Sequence, residues 1–180
     1  MNKEQDNIIL IGMMGSGKTT VGQAISKNQK WPFIDTDDMI EEQSKMTIPH
    51  IFEQYGESYF RRLEAGAVRN TSTFYRTVIS TGGGIVLNQE NMSILNESGF
   101  VVYLHCSAVT LYERTIDDFN RPLLLNSDSD RLARIEDLLI LREPLYTKYS
   151  NFVIDAGKYT IDELSRLICD EYRRYQRAKY

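Results

Sequence analysis

Gly12-Met13-Met14-Gly15-Ser16-Gly17-Lys18-Thr19 stands directly after the apolar run Ile8-Ile9-Leu10-Ile11. The octapeptide has the spacing GxxxxGK[ST]. It sits between a run of strand length and a helix-compatible segment at residues 21–27, the context in which that spacing makes a phosphate-binding loop. Glycines let the backbone turn sharply and aim successive N–H groups at one anion, and the helix that follows adds its positive N-terminal end. The Lys18 ammonium reaches the terminal phosphates, and the Thr19 hydroxyl is placed to ligate the Mg2+ that accompanies them. A plain glycine-rich turn would call for neither the Lys-Thr pair nor the strand.

Composition bounds the rest. The chain has 180 residues, 42% hydrophobic and 26% charged, the balance of one globular domain with a sizeable core. A formal net charge of −4 argues against a nucleic-acid partner, since phosphate-backbone binders carry surplus Lys and Arg. No run approaches the roughly 18 apolar residues of a membrane span, and residues 1–6 are polar, so no membrane partner is expected and the cytoplasm is the expected compartment. Cys106 and Cys169 lack a CxxC spacing and read as buried small hydrophobes. His50 and His105 stand alone, too few for a structural zinc site.

Apolar runs of strand length recur at residues 8–11, 31–34, 77–80, 100–104 and 152–154, each followed by a loop and a segment of helical period. That alternation predicts an α/β fold with a parallel sheet covered on both faces, its ligands beyond the carboxyl ends of the strands. Residues 38–70 form a long, mostly helical excursion with Pro49 at a helix start and Gly56 as punctuation, too long for a simple crossover. It reads as a small subdomain over the phosphate loop, suited to binding the phosphate acceptor. Residues 118–130, rich in Asp, Asn and Ser, read as either a mobile cover or a plain surface loop. Residues 160–180 read as a closing helix whose Arg and Lys suit its C-terminal end.

Asp35 and Asp37 follow the second strand with one residue between them, which in an extended chain points both carboxylates to one side, one for metal and one for substrate. Asp37 alternatively caps a helix starting at Asp38. Arg61 and Glu64 share a helical face, either as a surface pair or, with an acid opposite, as a carboxylate-reading guanidinium. Gly82-Gly83-Gly84 offers exposed N–H groups and close backbone approach, or simply a helix entry turn. The third strand ends in Ser80-Thr81 without Asp, so Asp35 and Ser80 would share the outer contacts of the metal. Arg114, Arg121 and Arg142 place three guanidiniums around the suspected cover.

Taken in order, these elements resemble shikimate kinases from residue 8 to about 161. That family shows GxxGxGK[ST], Asp-Thr-Asp, Phe-Arg-Arg-x-Glu, a triple glycine, Arg-Pro-Leu-Leu in a lid and Arg-x-Pro-Leu-Tyr. Here they are Gly12 to Thr19, Asp35-Thr36-Asp37, Phe60-Arg61-Arg62-Leu63-Glu64, Gly82-Gly83-Gly84, Arg121-Pro122-Leu123-Leu124 and Arg142-Glu143-Pro144-Leu145-Tyr146. The resemblance implies a P-loop NTPase domain over 1–180, three-layer α/β/α, with a five-stranded parallel sheet in the order 2-3-1-4-5. It also implies a helical substrate-binding subdomain at about 36–70 and a lid at about 115–130.

The implied activity is ATP-dependent phosphorylation of the 3-hydroxyl of shikimate by a monomer. Gly12, Gly15, Ser16, Gly17, Lys18, Thr19 and Thr20 would hold ATP, with Thr19 and Asp35 on Mg2+. Arg114 would lie against adenine, and Lys158 in the loop Asp155-Ala156-Gly157-Lys158 would border it. Asp37, Arg61, Arg142, Gly82, Gly83 and Gly84 would bind shikimate, the two arginines taking its carboxylate. Lys18, Asp37 and Arg121 would be catalytic, Arg121 also binding ATP as the lid residue that reaches the transferred phosphate. Two departures stand out: Asp117-Asp118-Phe119-Asn120 replaces a stretch where many relatives carry glycine, and the adenine loop follows the pattern loosely. A kinase of another hydroxylated acid such as gluconate, and a non-catalytic nucleotide-binding regulator, are the competing readings.

Overall fold

The computed structural model describes residues 6–116 and 128–179. Its five strands are β1 (Asn7–Ile11), β2 (Phe33–Asp35), β3 (Val78–Ser80), β4 (Gly99–His105) and β5 (Phe152–Asp155), in one sheet of order β2-β3-β1-β4-β5. Every neighbouring pair is parallel, with Ile8 opposite Val78 on one side and Phe100 on the other. Parallel strands need crossovers, and the helices that supply them cover both faces, so Ile8, Ile9, Leu10 and Ile11 are all fully buried. The helices are α1 (Lys18–Gln29), α2 (Thr36–Ser44), α3 (Ile48–Thr71), α4 (Gln89–Ser98), α5 (Ala108–Thr115), α6 (Asp128–Tyr149) and α7 (Ile161–Lys179).

Three details depart from the sequence expectations, namely the start of β2, the division of the excursion and the end of the polar interruption, whereas Pro49 at a helix start and Gly56 as punctuation hold. Trp31 and Pro32 stay outside β2, because Lys30 takes a left-handed conformation (φ 56°) and the Trp31 N–H closes back on the Ser26 carbonyl. Trp31 instead packs edge-on against Tyr172, 5.5 Å between centroids. The excursion after β2 is two helices parted at Lys45, and α3 is itself broken at Gly56, whose φ of 78° is left-handed and favours glycine. Pro49 lies in the first turn of α3, where a missing N–H does no harm, and the Ile48 N–H is met by Glu41 Oε1 at 2.7 Å. The polar interruption expected up to residue 130 ends earlier, since α6 already begins at Asp128. The rest of it, with Arg121 and residues 117–120, lies outside the described residues.

α2 and α3 carry their own small core of Ile40, Ile51, Phe60 and Ala67, separate from the cluster that covers the sheet. α7 starts with a reciprocal capping box: Thr160 N–H donates to Glu163 Oε2 at 2.8 Å and Glu163 N–H to Thr160 Oγ1 at 3.3 Å. Its last turn holds Arg177 and Lys179, as the helix dipole favours. Cys106 and Cys169 are both buried and free.

Candidate active site

All five strands end at one edge of the sheet, and the loop after β1 occupies its centre. Gly12 (φ 146°) and Gly15 (φ 81°) adopt backbone conformations that side chains resist. A Cβ on Gly12 would also lie 2.7 Å from the Leu104 carbonyl oxygen. The turn delivers the chain into α1, whose N-cap Gly17 supplies no side chain and whose first turn carries no acidic residue. Its leading N–H groups are therefore left for an anion. Lys18 is buried and its Nζ donates to the carbonyls of Gly12 and Met13, both at 2.9 Å, which holds the ammonium across the loop.

Thr19 Oγ1 donates to Asp35 Oδ2 at 2.8 Å, while Asp35 Oδ1 accepts the Asp37 N–H at 3.0 Å. The extended-chain reasoning for Asp35 and Asp37 does not hold: Asp35 ends β2 and is itself the N-cap of α2, and Asp37 lies in the first helical turn. Both still reach one cavity, because a cap and the first turn that follows it sit side by side. Asp38, beside them, has its carboxyl pKa raised by burial and then by the charges of Asp35 and Glu41.

Two adjoining cavities open along this edge, of about 640 and 430 Å3. The larger runs from the loop residues 15–20 past Asp35, Ser80 and Arg114 to Ala156 and Tyr159. Ser80 Oγ, buried at its wall, has no hydrogen-bond partner among the described residues. The smaller is lined by Phe52, Phe60, Arg61, Glu64, Arg142 and the triple glycine. Met14, Asp37 and Gly83 line both.

The smaller cavity sets two guanidiniums, Arg61 and Arg142, beside the carboxylates of Asp37, Glu41 and Glu64. Arg61 bonds both carboxylate oxygens of Glu64 at 3.1 and 3.0 Å and reaches Glu57 Oε1 at 2.8 Å. Glu64 is only 1% exposed, so the pair belongs to the cavity rather than the surface. Burial raises the Glu64 pKa against the opposing pull of Arg61 and Arg142. Arg142 is 3% exposed; its Nη1 donates to the Gly83 carbonyl at 3.2 Å, while its buried Nε has no partner among the described residues. The glycines permit this crowding: a Cβ on Gly82 would stand 2.9 Å from both Asp37 Oδ1 and Glu64 Oε1. A Cβ on Gly84 would run into the Arg61 guanidinium. The helix-entry reading holds in part, since a 3-10 turn over Ile85–Leu87 follows.

At the far end of the larger cavity Arg114 is held by the Ala156 carbonyl at 3.3 Å and Cys106 Sγ at 3.6 Å. Lys158 does not join it. Its ammonium pairs with Asp155 at 3.2 Å and is largely exposed, and Ala156 and Tyr159 line the cavity instead. Sequence reasoning passed over Tyr159, an exposed tyrosine beside a glycine loop, and Tyr146, quoted within its motif without a role. Tyr146 is fully buried and its O–H donates to the Gly83 carbonyl. Among the described residues, no three His, Cys, Asp or Glu side chains gather as metal ligands, and no helix is long and apolar enough to cross a membrane.

The family model for shikimate kinase matches residues 14–173. A shikimate kinase of Dechloromonas aromatica is 43% identical over 168 residues, covering 93% of this chain and 91% of its own. One from Ralstonia nicotianae is 41% identical over 162 residues, 90% of this chain and 84% of its own. Among solved structures, a shikimate kinase from Acinetobacter baumannii in complex with shikimate superposes with a TM-score of 0.91 at 34% identity over 94% of both chains. Matched across nearly its whole length in sequence and in fold, with Lys18, Thr19 and the residues of the smaller cavity inside the family match, the chain belongs to the shikimate kinase family.

Proposed function

We propose that the chain transfers the γ-phosphoryl group of ATP to the 3-hydroxyl of shikimate, releasing ADP, shikimate 3-phosphate and a proton, a step toward chorismate and the aromatic amino acids. The observation that carries this reading is the meeting of the two cavities at Met14, Asp37 and Gly83. One cavity has the loop and helix end for a triphosphate, the other has two guanidiniums for an acid, and a carboxylate stands where they touch. The A. baumannii relative holding shikimate supports the choice of acid, and family membership argues against gluconate.

In this reading the N-terminus of α1 and Lys18 hold the phosphates, and the Lys18 ammonium follows the charge that develops on the transferring group. Asp37 orients the acceptor hydroxyl and takes its proton as the new O–P bond forms. Arg61, oriented by its hydrogen bonds to Glu57 and Glu64, and Arg142, anchored on the Gly83 carbonyl, grip the acceptor carboxylate. Thr19 and Asp35 would hold Mg2+, with the Ser80 hydroxyl facing its waters; these few hard oxygens suit an ion that is otherwise bound by phosphates and water. When bound, Mg2+ would neutralise phosphate charge and orient the γ-phosphoryl group.

Further parts of the reading are the α2 and α3 excursion, about 36–70, as an acceptor subdomain within one domain, and residues 115–130 as a lid that brings Arg121 to the phosphoryl group. Arg114 and Tyr159 would flank the base. A monomer acting in the cytoplasm is proposed. A coupled ADP-release assay with ATP and a panel of hydroxylated acids tests the whole: shikimate should be turned over in preference. No turnover of shikimate, or an equal rate with gluconate, would refute it.

A further inference from the structure

We propose that Tyr146 is a positioning residue for the acceptor, its phenol O–H fixing the Gly83 carbonyl and, through that carbonyl, the Arg142 guanidinium. This rests on the smaller cavity being the acceptor site. Tyr146 and Arg142 are one turn apart on α6, and both donate to the same oxygen. A carbonyl has two lone pairs, so with Tyr146 on one, Arg142 Nη1 is confined to the other. The rest of the guanidinium, including the unpartnered Nε, is then held in a fixed orientation at the cavity wall. Because a trans peptide is planar, fixing the Gly83 carbonyl toward α6 also turns the Gly84 N–H to the opposite side.

Gly83 is not an arbitrary anchor. It lines both cavities, and a Cβ there would lie 3.2 Å from the Met14 nitrogen, so its backbone rests on the phosphate loop. Tyr146 is rigid in turn, stacked on Tyr103 at 4.8 Å between centroids. Burial raises the pKa of its phenol, so it remains a donor throughout the working pH range. A tyrosine serving only to fill the core would be replaceable by phenylalanine without functional consequence.

Tyr146→Phe supplies the test. It keeps the ring and its stack, and Gly83 O keeps Arg142, so the fold is retained. With shikimate and ATP, the acceptor KM should rise about five- to tenfold, the worth of one hydrogen bond, while kcat and the ATP KM stay within about twofold. On an Arg142→Lys background the same change should have less than about a twofold effect, because the residue through which Tyr146 acts is already altered. Tyr103→Phe, which keeps the stack and touches no carbonyl of the site, should leave the acceptor KM unchanged. An unchanged KM in Tyr146→Phe, full multiplication of the two effects, an equal rise in Tyr103→Phe, or loss of fold would each overturn the proposal. A wild-type enzyme inactive on shikimate overturns the functional reading and this proposal with it, whereas an active one with an indifferent Tyr146→Phe overturns this proposal alone.

Discussion

Replacing Lys18 by alanine removes the one buried ammonium in the phosphate loop. Its Nζ is held by the Gly12 and Met13 carbonyls at 2.9 Å each. A bound phosphate must share or displace those bonds, each worth about 1 kcal/mol, so the net gain in the ground state is small. In the transition state the charge on the transferring group grows, and a unit charge about 4 Å away interacts by about 4 kcal/mol at an effective dielectric of 20. That difference corresponds to a fall in kcat of about 10² to 10³, with a smaller change in ATP affinity. The assay is steady-state ADP release at saturating shikimate, with thermal melting and ADP binding measured alongside. The loop conformation is set by Gly12, Gly15 and Gly17, so the melting temperature should fall by only a few degrees. A folded Lys18→Ala protein that keeps more than about a tenth of wild-type kcat would refute the electrostatic role assigned to this side chain.

Arg61→Lys should raise the acceptor KM by roughly 10- to 100-fold, because an ammonium cannot supply the planar pair of bonds that a guanidinium gives a carboxylate; initial-rate kinetics on shikimate decide it. Asp35→Asn should preserve the cap on α2, since Asn also accepts the Asp37 N–H, yet raise the Mg2+ concentration needed for half-maximal activity several-fold; an unchanged Mg2+ titration would remove Asp35 from the ion. Glu163→Ala should lower the melting temperature at neutral pH. The hydrogen bonds from Thr160 N–H and then its hydroxyl lower the Glu163 pKa below the usual 4.5, so this stabilisation is present above pH 4.5 and is lost as pH falls through the lowered value. The gap between wild-type and variant melting curves should accordingly close on the acid side, and a gap that persists unchanged to pH 2 would count against the cap.

The phosphate loop was legible in the sequence because its chemistry is local: glycines, a lysine and a threonine within eight residues, entered from a strand and left by a helix. The α/β class was legible for a similar reason, since strands buried on both faces must read as continuous apolar runs. β2 was harder, because the left-handed Lys30 and the contact of Trp31 with Tyr172, 141 positions away, decide where it begins. Local pattern also cannot separate a cap from an extended pair at Asp35 and Asp37, which depends on whether the helix starts at Thr36. Resemblance named Arg61, Arg142 and the glycines, but only the tertiary structure shows why they stand together. Glu64 becomes a buried partner when α3 packs over the sheet edge, and Gly82 keeps room for two carboxylates. The Gly83 carbonyl meets Arg142 and Tyr146 across some sixty positions of chain. A short motif is written by neighbours along the backbone, and the acceptor site by side chains that only packing brings within hydrogen-bonding reach.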